Sequence, residues 1–359
     1  MNERLFKYLM YFAGVIALYA FLSVRILPLF NAALVEDRSP EYFEFTKYGE
    51  QYYSNYISHF REILPTPKDK YRLSERNPKL ADADIIAFGD SFFDFSRQKT
   101  VAERLHDSLG VGVHAVRAWY PLDYLHSNNY QNDSEKIIIY EVVERNLHDR
   151  FIEPHDLNWE GNDYIDVGKL SLFGKLRHYV FDVKSEELYS ILLSESYLTS
   201  NFYSLIATVK FDWFGYMAPR TPVFSLQNRY HVPFLFYDIT TNDSPKSFYF
   251  DHNDELIDIY TDHIADLEEQ LYDKYSLRMI LLPIPNKYTM YFDLVSPGDK
   301  YNDFLPRLYK ALDKKGINYI DLYDRFLVAD TLLYYGTDSH WNKAGVDIAV
   351  KELLKKIQN

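Results

Sequence analysis

Short apolar runs alternate with helix-length segments along much of this chain, and that rhythm limits its architecture more than any other feature. Ile85-Ile86-Ala87-Phe88 ends at Gly89 and reads as a buried strand running into a turn. Val101 to Leu109 follows as a helix stopped by Gly110, then Val111 to Val116 as a second strand. Tyr124 to Tyr130 reads as a helix and Ile137 to Val143 as a third strand. After a lapse the rhythm resumes: helix Leu256 to Tyr275, strand Met279 to Leu282, helix Tyr301 to Lys315, strand Tyr319 to Leu322, and a last helix after Trp341. Strand and helix in turn predict an α/β domain over residues 81–359, a three-layer αβα arrangement with a parallel sheet between two helical layers. The lapse, at about 150–250, holds Leu170 to Val180, Leu188 to Val209 and an aromatic segment at Phe234 to Tyr237, and reads as an insertion or cap.

The amino-terminal end follows other rules. Tyr8 to Val24 carries no charge, about 17 residues, which is near the lower limit for a spanning helix. Arg25 interrupts, and Ile26 to Phe30 is apolar again, so a snorkelling arginine extends the useful length. Arg4 and Lys7 precede the stretch, whereas Glu36, Asp37, Glu41 and Glu44 follow it, with Arg38 among them. The positive-inside rule then keeps the amino terminus in the cytoplasm and sends the rest across. Residues 1–30 are therefore expected to be a single-pass anchor in the cytoplasmic membrane, with the main domain on the periplasmic or extracellular side. A cleaved signal peptide is the alternative, because Asn31-Ala32-Ala33 offers small residues near a cleavage position. Residues 31–80 read as a connection, with helical spacing at 41–62 and prolines at 65, 67 and 78.

Net charge is −13, which disfavours a nucleic-acid partner, since such binding needs Lys and Arg to neutralise phosphates. The absence of cysteine removes disulfides, thiolate metal sites and a cysteine nucleophile. A serine mechanism remains open. Gly89-Asp90-Ser91 lies at the carboxyl end of the first strand, where open α/β sheets place their ligand sites. Serine is a weak nucleophile until a base takes its proton, and the base needs a carboxylate to hold its tautomer. Of 11 histidines, His340 has that setting: Thr337-Asp338-Ser339-His340-Trp341-Asn342 precedes the last helix, so Asp338 can curl back to the ring Nδ1 while Nε2 faces Ser91.

Together the strand-end serine and the Asp-x-His loop resemble the first and last blocks of the SGNH (GDSL-like) hydrolase superfamily, in that chain order. Asp338-Ser339-His340-Trp341 resembles the Asp-x-His-Trp signature of the alginate O-acetyltransferase group and of SGNH-like proteins with a DHHW motif. Pro283-Ile284-Pro285-Asn286-Lys287 resembles that group's Pro-x-x-x-Lys segment, and Ile139 to Asn146 its strand ending in Glu-Arg. The resemblance covers about residues 80–150 and 255–357. Three departures stand out. The alginate enzymes carry the Asp-His loop ahead of the serine, the Asp-to-His spacing here is one residue shorter than in most SGNH esterases, and no Gly-x-Asn-Asp block is present. Oxyanion donors must then come from the Ser91 N–H with Arg145, Asn146 or the backbone at Ala118; Arg145 reads equally as an ion-pair partner of Glu141 or Glu144.

What the resemblance implies is an O-acetyltransferase. Ser91 takes an acetyl group as an ester, His340 shuttles the proton, Asp338 orients it, and a hydroxyl of an extracytoplasmic polysaccharide accepts the acyl group. The donor would be supplied by a polytopic membrane-bound O-acyltransferase, and no metal or soluble cofactor is required. Aromatic residues make up 17% of the chain, so Trp119, Tyr120, Tyr288 and Trp341 are candidates for stacking on sugar, and equally for core; Lys287 joins them as a substrate contact. A carbohydrate acetylesterase with the same triad, and a non-catalytic subunit of a polysaccharide-modification complex, are the alternatives.

Overall fold

The structure is a computed structural model that describes residues 3–25, 57, 78–94, 99–152, 171, 197–215, 223–225, 233–235, 244–295, 298, 300–336 and 338–358. The chain divides into two compact units, Met1–Leu64 with Asn158–Ala218 and Pro65–Leu157 with Pro219–Asn359. The expected helix at 41–62, most of Leu170 to Val180 and the start of Leu188 to Val209 lie outside the described residues.

In the first unit, helices span Glu3–Arg25 (α1) and Tyr197–Phe214 (α6 in chain order). The uncharged stretch from Tyr8 falls inside α1, whose residues from Arg4 to Leu18 are exposed. Among the described residues no helix is long and apolar enough to cross a membrane, so the single span expected from the sequence is not found there. Glu3, Arg4 and Lys7 occupy the first turns of α1, and Arg25 ends it.

The second unit carries the alternating pattern. Strands β1 (Ile85–Gly89), β2 (Val113–Arg117), β3 (Lys136–Val143) and β6 (Leu277–Ile284) form a four-stranded sheet in the order β2-β1-β3-β6. Every pairing in it is parallel; Ala87 lies opposite Ala115 on one side and Ile139 on the other. All five β1 residues are buried. Neighbouring strand residues point to opposite faces, so uniform burial means that both faces are covered. The lapse contains a short antiparallel pair, β4 (Val223–Ser225) with β5 (Pro233–Leu235), the latter running into the aromatic segment.

The helices are α2 (Ser91–Asp94), α3 (Val101–Leu109), α4 (Pro121–Ser127), α5 (Leu147–Phe151), α7 (Asp254–Tyr275), α8 (Lys287–Val295), α9 (Phe304–Lys315), α10 (Leu322–Leu327) and α11 (Lys343–Gln358). Helix α3 starts on a reciprocal cap: the Thr100 hydroxyl accepts from the Glu103 N–H at 3.2 Å, and the Glu103 carboxylate accepts from the Thr100 N–H at 2.6 Å. Such a cap contributes about 1 kcal/mol. In α7, Ile257, Tyr260, Ile264 and Leu271 are buried at helical spacing, which gives the helix its inward face.

Two expectations are corrected. The helix read from Tyr124 begins at Pro121, because proline's fixed φ and missing N–H suit a first turn. Tyr319 to Leu322 is not a strand. A single parallel bridge joins Leu281 to Tyr319, after which the Asp321 carboxylate accepts from the Asp324 N–H at 2.9 Å and starts α10. The carboxyl ends of β1, β3 and β6, with the loop leading into α11, converge on the site described next.

Candidate active site

Strand β1 delivers Gly89, Asp90 and Ser91 into the short helix α2. Gly89 is needed for space: a Cβ there would stand 2.4 Å from the Glu141 Oε2 and 2.4 Å from the Phe93 ring. That closeness is functional for the turn, because the Asp90 N–H donates to Glu141 Oε2 at 2.6 Å. The Asp90 carboxylate in turn accepts from the Phe92 N–H at 3.0 Å and the Asn146 amide at 3.1 Å. Arg150 Nη2 lies 3.7 Å from Asp90 Oδ2, with its guanidinium over the rings of Trp119 (4.9 Å) and Tyr140 (5.5 Å).

Glu141 is wholly buried (0% exposed) within an apolar strand. Burial, then the neighbouring Asp90 charge, pushes its carboxyl well above the usual 4.5. Burial works against the Arg150 charge, but Tyr140, Asp90 and Glu141 outweigh it and leave the guanidinium firmly protonated. Two carboxyls and one guanidinium thus form a compact interior group beneath the serine turn.

The second loop brings a histidine and a carboxylate to the serine. Asp338 and His340 are both buried. Asp338 Oδ1 accepts from the His340 backbone N–H at 2.8 Å and lies 2.5 Å from His340 Nδ1. A carboxylate partner fixes the tautomer: Nδ1 carries the hydrogen, and Nε2 is left to accept from Ser91 Oγ, 2.7 Å away. The loop is closed on itself. The Tyr335 N–H donates to the His340 carbonyl at 3.1 Å, the Asn342 N–H to the Leu333 carbonyl at 2.8 Å, and the Asn342 amide to the Leu332 carbonyl at 2.7 Å. Gly345 permits this closure, since a Cβ would stand 2.6 Å from the Leu333 carbonyl oxygen. Trp341 joins the two loops by donating from its indole N–H to the Phe92 carbonyl at 3.2 Å.

Several expected substrate contacts are placed elsewhere. Trp341 (0% exposed) and Tyr288 are core residues, so neither ring is available to a sugar; Tyr288 meets Phe248 edge-on and the Tyr249 hydroxyl at 3.0 Å. Lys287 (3% exposed) is likewise sealed inside, where its ammonium donates to the carbonyls of Tyr335, Gly336 and Asp338. The Ala118 N–H donates to the Gly89 carbonyl at 3.2 Å, which occupies it as part of the chain leaving β2. Trp119 accepts from the Tyr140 hydroxyl at 2.7 Å through its carbonyl and lies under Arg150 through its ring. Tyr120 lines a cavity of about 340 Å³ with Pro121, Tyr140, Arg150, Leu267 and Gln270 among its walls.

Arg145 and Asn146 stay beside the serine turn. The Arg145 guanidinium lies 5.9 Å from the centre of the Phe92 ring, whose face is 4.7 Å from that of His340. Instead of pairing with Arg145, the Glu144 carboxylate accepts from the Asn286 N–H at 2.7 Å and the Tyr301 hydroxyl at 2.8 Å. This joins the ends of β3 and β6. The Asn146 amide has a second hydrogen beyond the one given to Asp90, and so keeps a donor for a ligand. Among the described residues no group of three or more His, Asp or Glu side chains is arranged to hold a metal ion.

Sequence reasoning named Glu141 only as a partner for Arg145, and missed its place under the serine turn, Arg150 and the inward role of Lys287. A signal existed for the first: a lone acid inside the apolar run Ile137 to Val143 must be satisfied internally. Comparison with curated proteins and with solved structures gave no match. Residues 246–359, about a third of the chain, match the family model described as SGNH hydrolase-like domain, acetyltransferase AlgX, and the part that carries Asp338 and His340 is therefore of SGNH hydrolase-like type.

Proposed function

We propose that the chain is a serine O-acetyltransferase acting on hydroxyls of an extracytoplasmic polysaccharide. The observation that carries this reading is the line Ser91 Oγ–His340 Nε2 at 2.7 Å and His340 Nδ1–Asp338 Oδ1 at 2.5 Å. His340 takes the Ser91 proton as Oγ attacks the acetyl carbonyl, and the tetrahedral oxyanion meets the Ser91 N–H and the Asn146 amide. Collapse expels the donor alcohol, which receives the proton from His340. A sugar hydroxyl then repeats the sequence in reverse, giving its proton to His340 and taking the acetyl group from Ser91. The acetyltransferase description of the family model favours a sugar over water as acceptor.

The uncharged stretch after Lys7 and the acidic residues beyond it favour export with an amino-terminal anchor, and an acyl donor delivered across the membrane by a polytopic O-acyltransferase fits that placement. The test uses the full chain with an activated acetyl ester, alone and with oligosaccharide acceptors. Acetylated sugar should form faster than free acetate, a serine-directed phosphonate should label the protein, and Ser91→Ala should lose labelling and at least about 10³-fold in rate. Acetate release without transfer would identify an esterase. A folded wild-type chain that neither reacts with phosphonate nor turns over would identify a binding subunit.

A further inference from the structure

The loop carrying Asp338 and His340 turns several carbonyl oxygens inward, and one side chain from another element meets them. Lys287, the first residue of α8, places its Nζ 2.5 Å from the Tyr335 oxygen, 2.7 Å from that of Gly336 and 3.0 Å from that of Asp338. Inward carbonyls around one positive centre are the arrangement loops adopt around a bound cation. Here the cation is tethered.

The tether itself is fixed at its root. The Asn286 N–H, one residue earlier, donates to buried Glu144, and the Pro285 carbonyl accepts from the Tyr334 hydroxyl at 2.6 Å. One turn along α8, the Tyr291 hydroxyl accepts from the Leu333 N–H at 2.8 Å. The segment from Pro285 to Tyr291 therefore grips residues 333–338 at several points, with the lysine ammonium at the inner one. An unpaired ammonium would not remain so buried, and inward carbonyls without a donor would turn toward solvent.

We propose that Lys287 is a positioning residue: its tethered ammonium holds the carbonyls of Tyr335, Gly336 and Asp338 so that Asp338 and His340 stay in line with Ser91. It acts through the loop and touches no reacting atom. The proposal rests on the acyl-enzyme reading above, because only then does the alignment have a rate to govern. Loss of alignment by about an ångström costs on the order of 10²-fold in rate while leaving ground-state binding alone.

The test is Lys287→Met in the full chain, which keeps the length of the stem and removes the charge and its hydrogens. The kcat for the activated acetyl ester should fall on the order of 10²-fold, KM should stay within about twofold, and phosphonate labelling of Ser91 should slow in parallel. A folded variant with unchanged kcat, or one whose KM alone rises, would overturn the proposal, the latter by making Lys287 a substrate contact. Wild-type protein labelled with ¹⁵N-lysine gives a second readout that needs no variant. A slowly exchanging ammonium signal, absent from Lys287→Met or assigned by its contacts to Tyr335 and Gly336, is expected; its absence would overturn the placement. If wild-type protein proves unreactive toward phosphonate, the acyl-enzyme reading fails, while the ammonium signal still decides whether Lys287 holds the loop.

Discussion

The two loops that meet at the site are held from beneath by groups of opposite kind. The serine turn presents backbone N–H groups inward, and carboxyl oxygens receive them: Glu141 takes the Asp90 N–H and Asp90 takes that of Phe92. The histidine loop presents carbonyls inward, and the Lys287 ammonium supplies hydrogens to them. Both loops lead into a helix. The unmatched donors at α2 meet these carboxyls, whereas those of Ala344 and Gly345 in α11 meet the Asn342 side-chain oxygen. That leaves the earlier carbonyls of the histidine loop to Lys287. Each loop is thus held by an interior group of its own.

Breaking the acidic support should be the costlier change to the fold. Gly89→Ala places a methyl 2.4 Å from both Glu141 and Phe93, neither of which can yield within a fully buried strand end. About 3 kcal/mol of stability should be lost, read as a large fall in the denaturant midpoint. A variant of unchanged stability would mean that the turn is looser than its contacts imply. Glu141→Gln is the finer probe. The amide oxygen can still accept the Asp90 N–H, so stability should change by under about 1 kcal/mol at pH 5. The pH dependence should change more. Folding raises the Glu141 carboxyl above the ordinary 4.5, so the folded chain holds this proton more tightly than the unfolded one. Its share of stability is whole below that value and is lost as pH rises toward the raised folded value. The glutamine variant should therefore lose less stability than wild type as pH rises above 4.5, measured by thermal melts; parallel curves would show that folding does not raise the Glu141 carboxyl.

The smallest effect should come from the surface. Arg104 of α3 and Asp347 of α11 pair where they are partly open to solvent, linking the helix after the serine turn to the helix after the histidine loop. Arg104→Ala should cost under about 1 kcal/mol and leave turnover unchanged. A larger loss would shift the weight of loop alignment from interior supports to the helices outside.

The features that could be read in the sequence were those with a local signature. The apolar run into Gly89-Asp90-Ser91, the Asp-x-His loop and the helix from Val101 stopped by Gly110 each declare themselves within a few residues. Side-chain direction does not. Trp341 and Tyr288 offer the same large ring whether it lies against the core or against a sugar, and only the packing of Phe92 and Phe248 decides. Lys287 reads as a substrate contact until its ammonium is found among the carbonyls of Tyr335, Gly336 and Asp338. Tyr319 to Leu322 has the composition of a strand, but Asp321 sits where it caps a helix, and that local preference wins once only one bridge to β6 forms. Glu141 was hidden by its apolar neighbours, although an acid there can be accommodated only by the donors that surround it.

Ser91 and His340 lie 249 positions apart. At ribosomal speeds of about 5–20 residues per second, the serine emerges roughly 10–50 s before its base. During synthesis the turn at Ser91 can form with its acidic supports before the histidine loop exists. Under the acyl-enzyme proposal, reactivity toward a phosphonate should appear only once that loop has joined the serine turn.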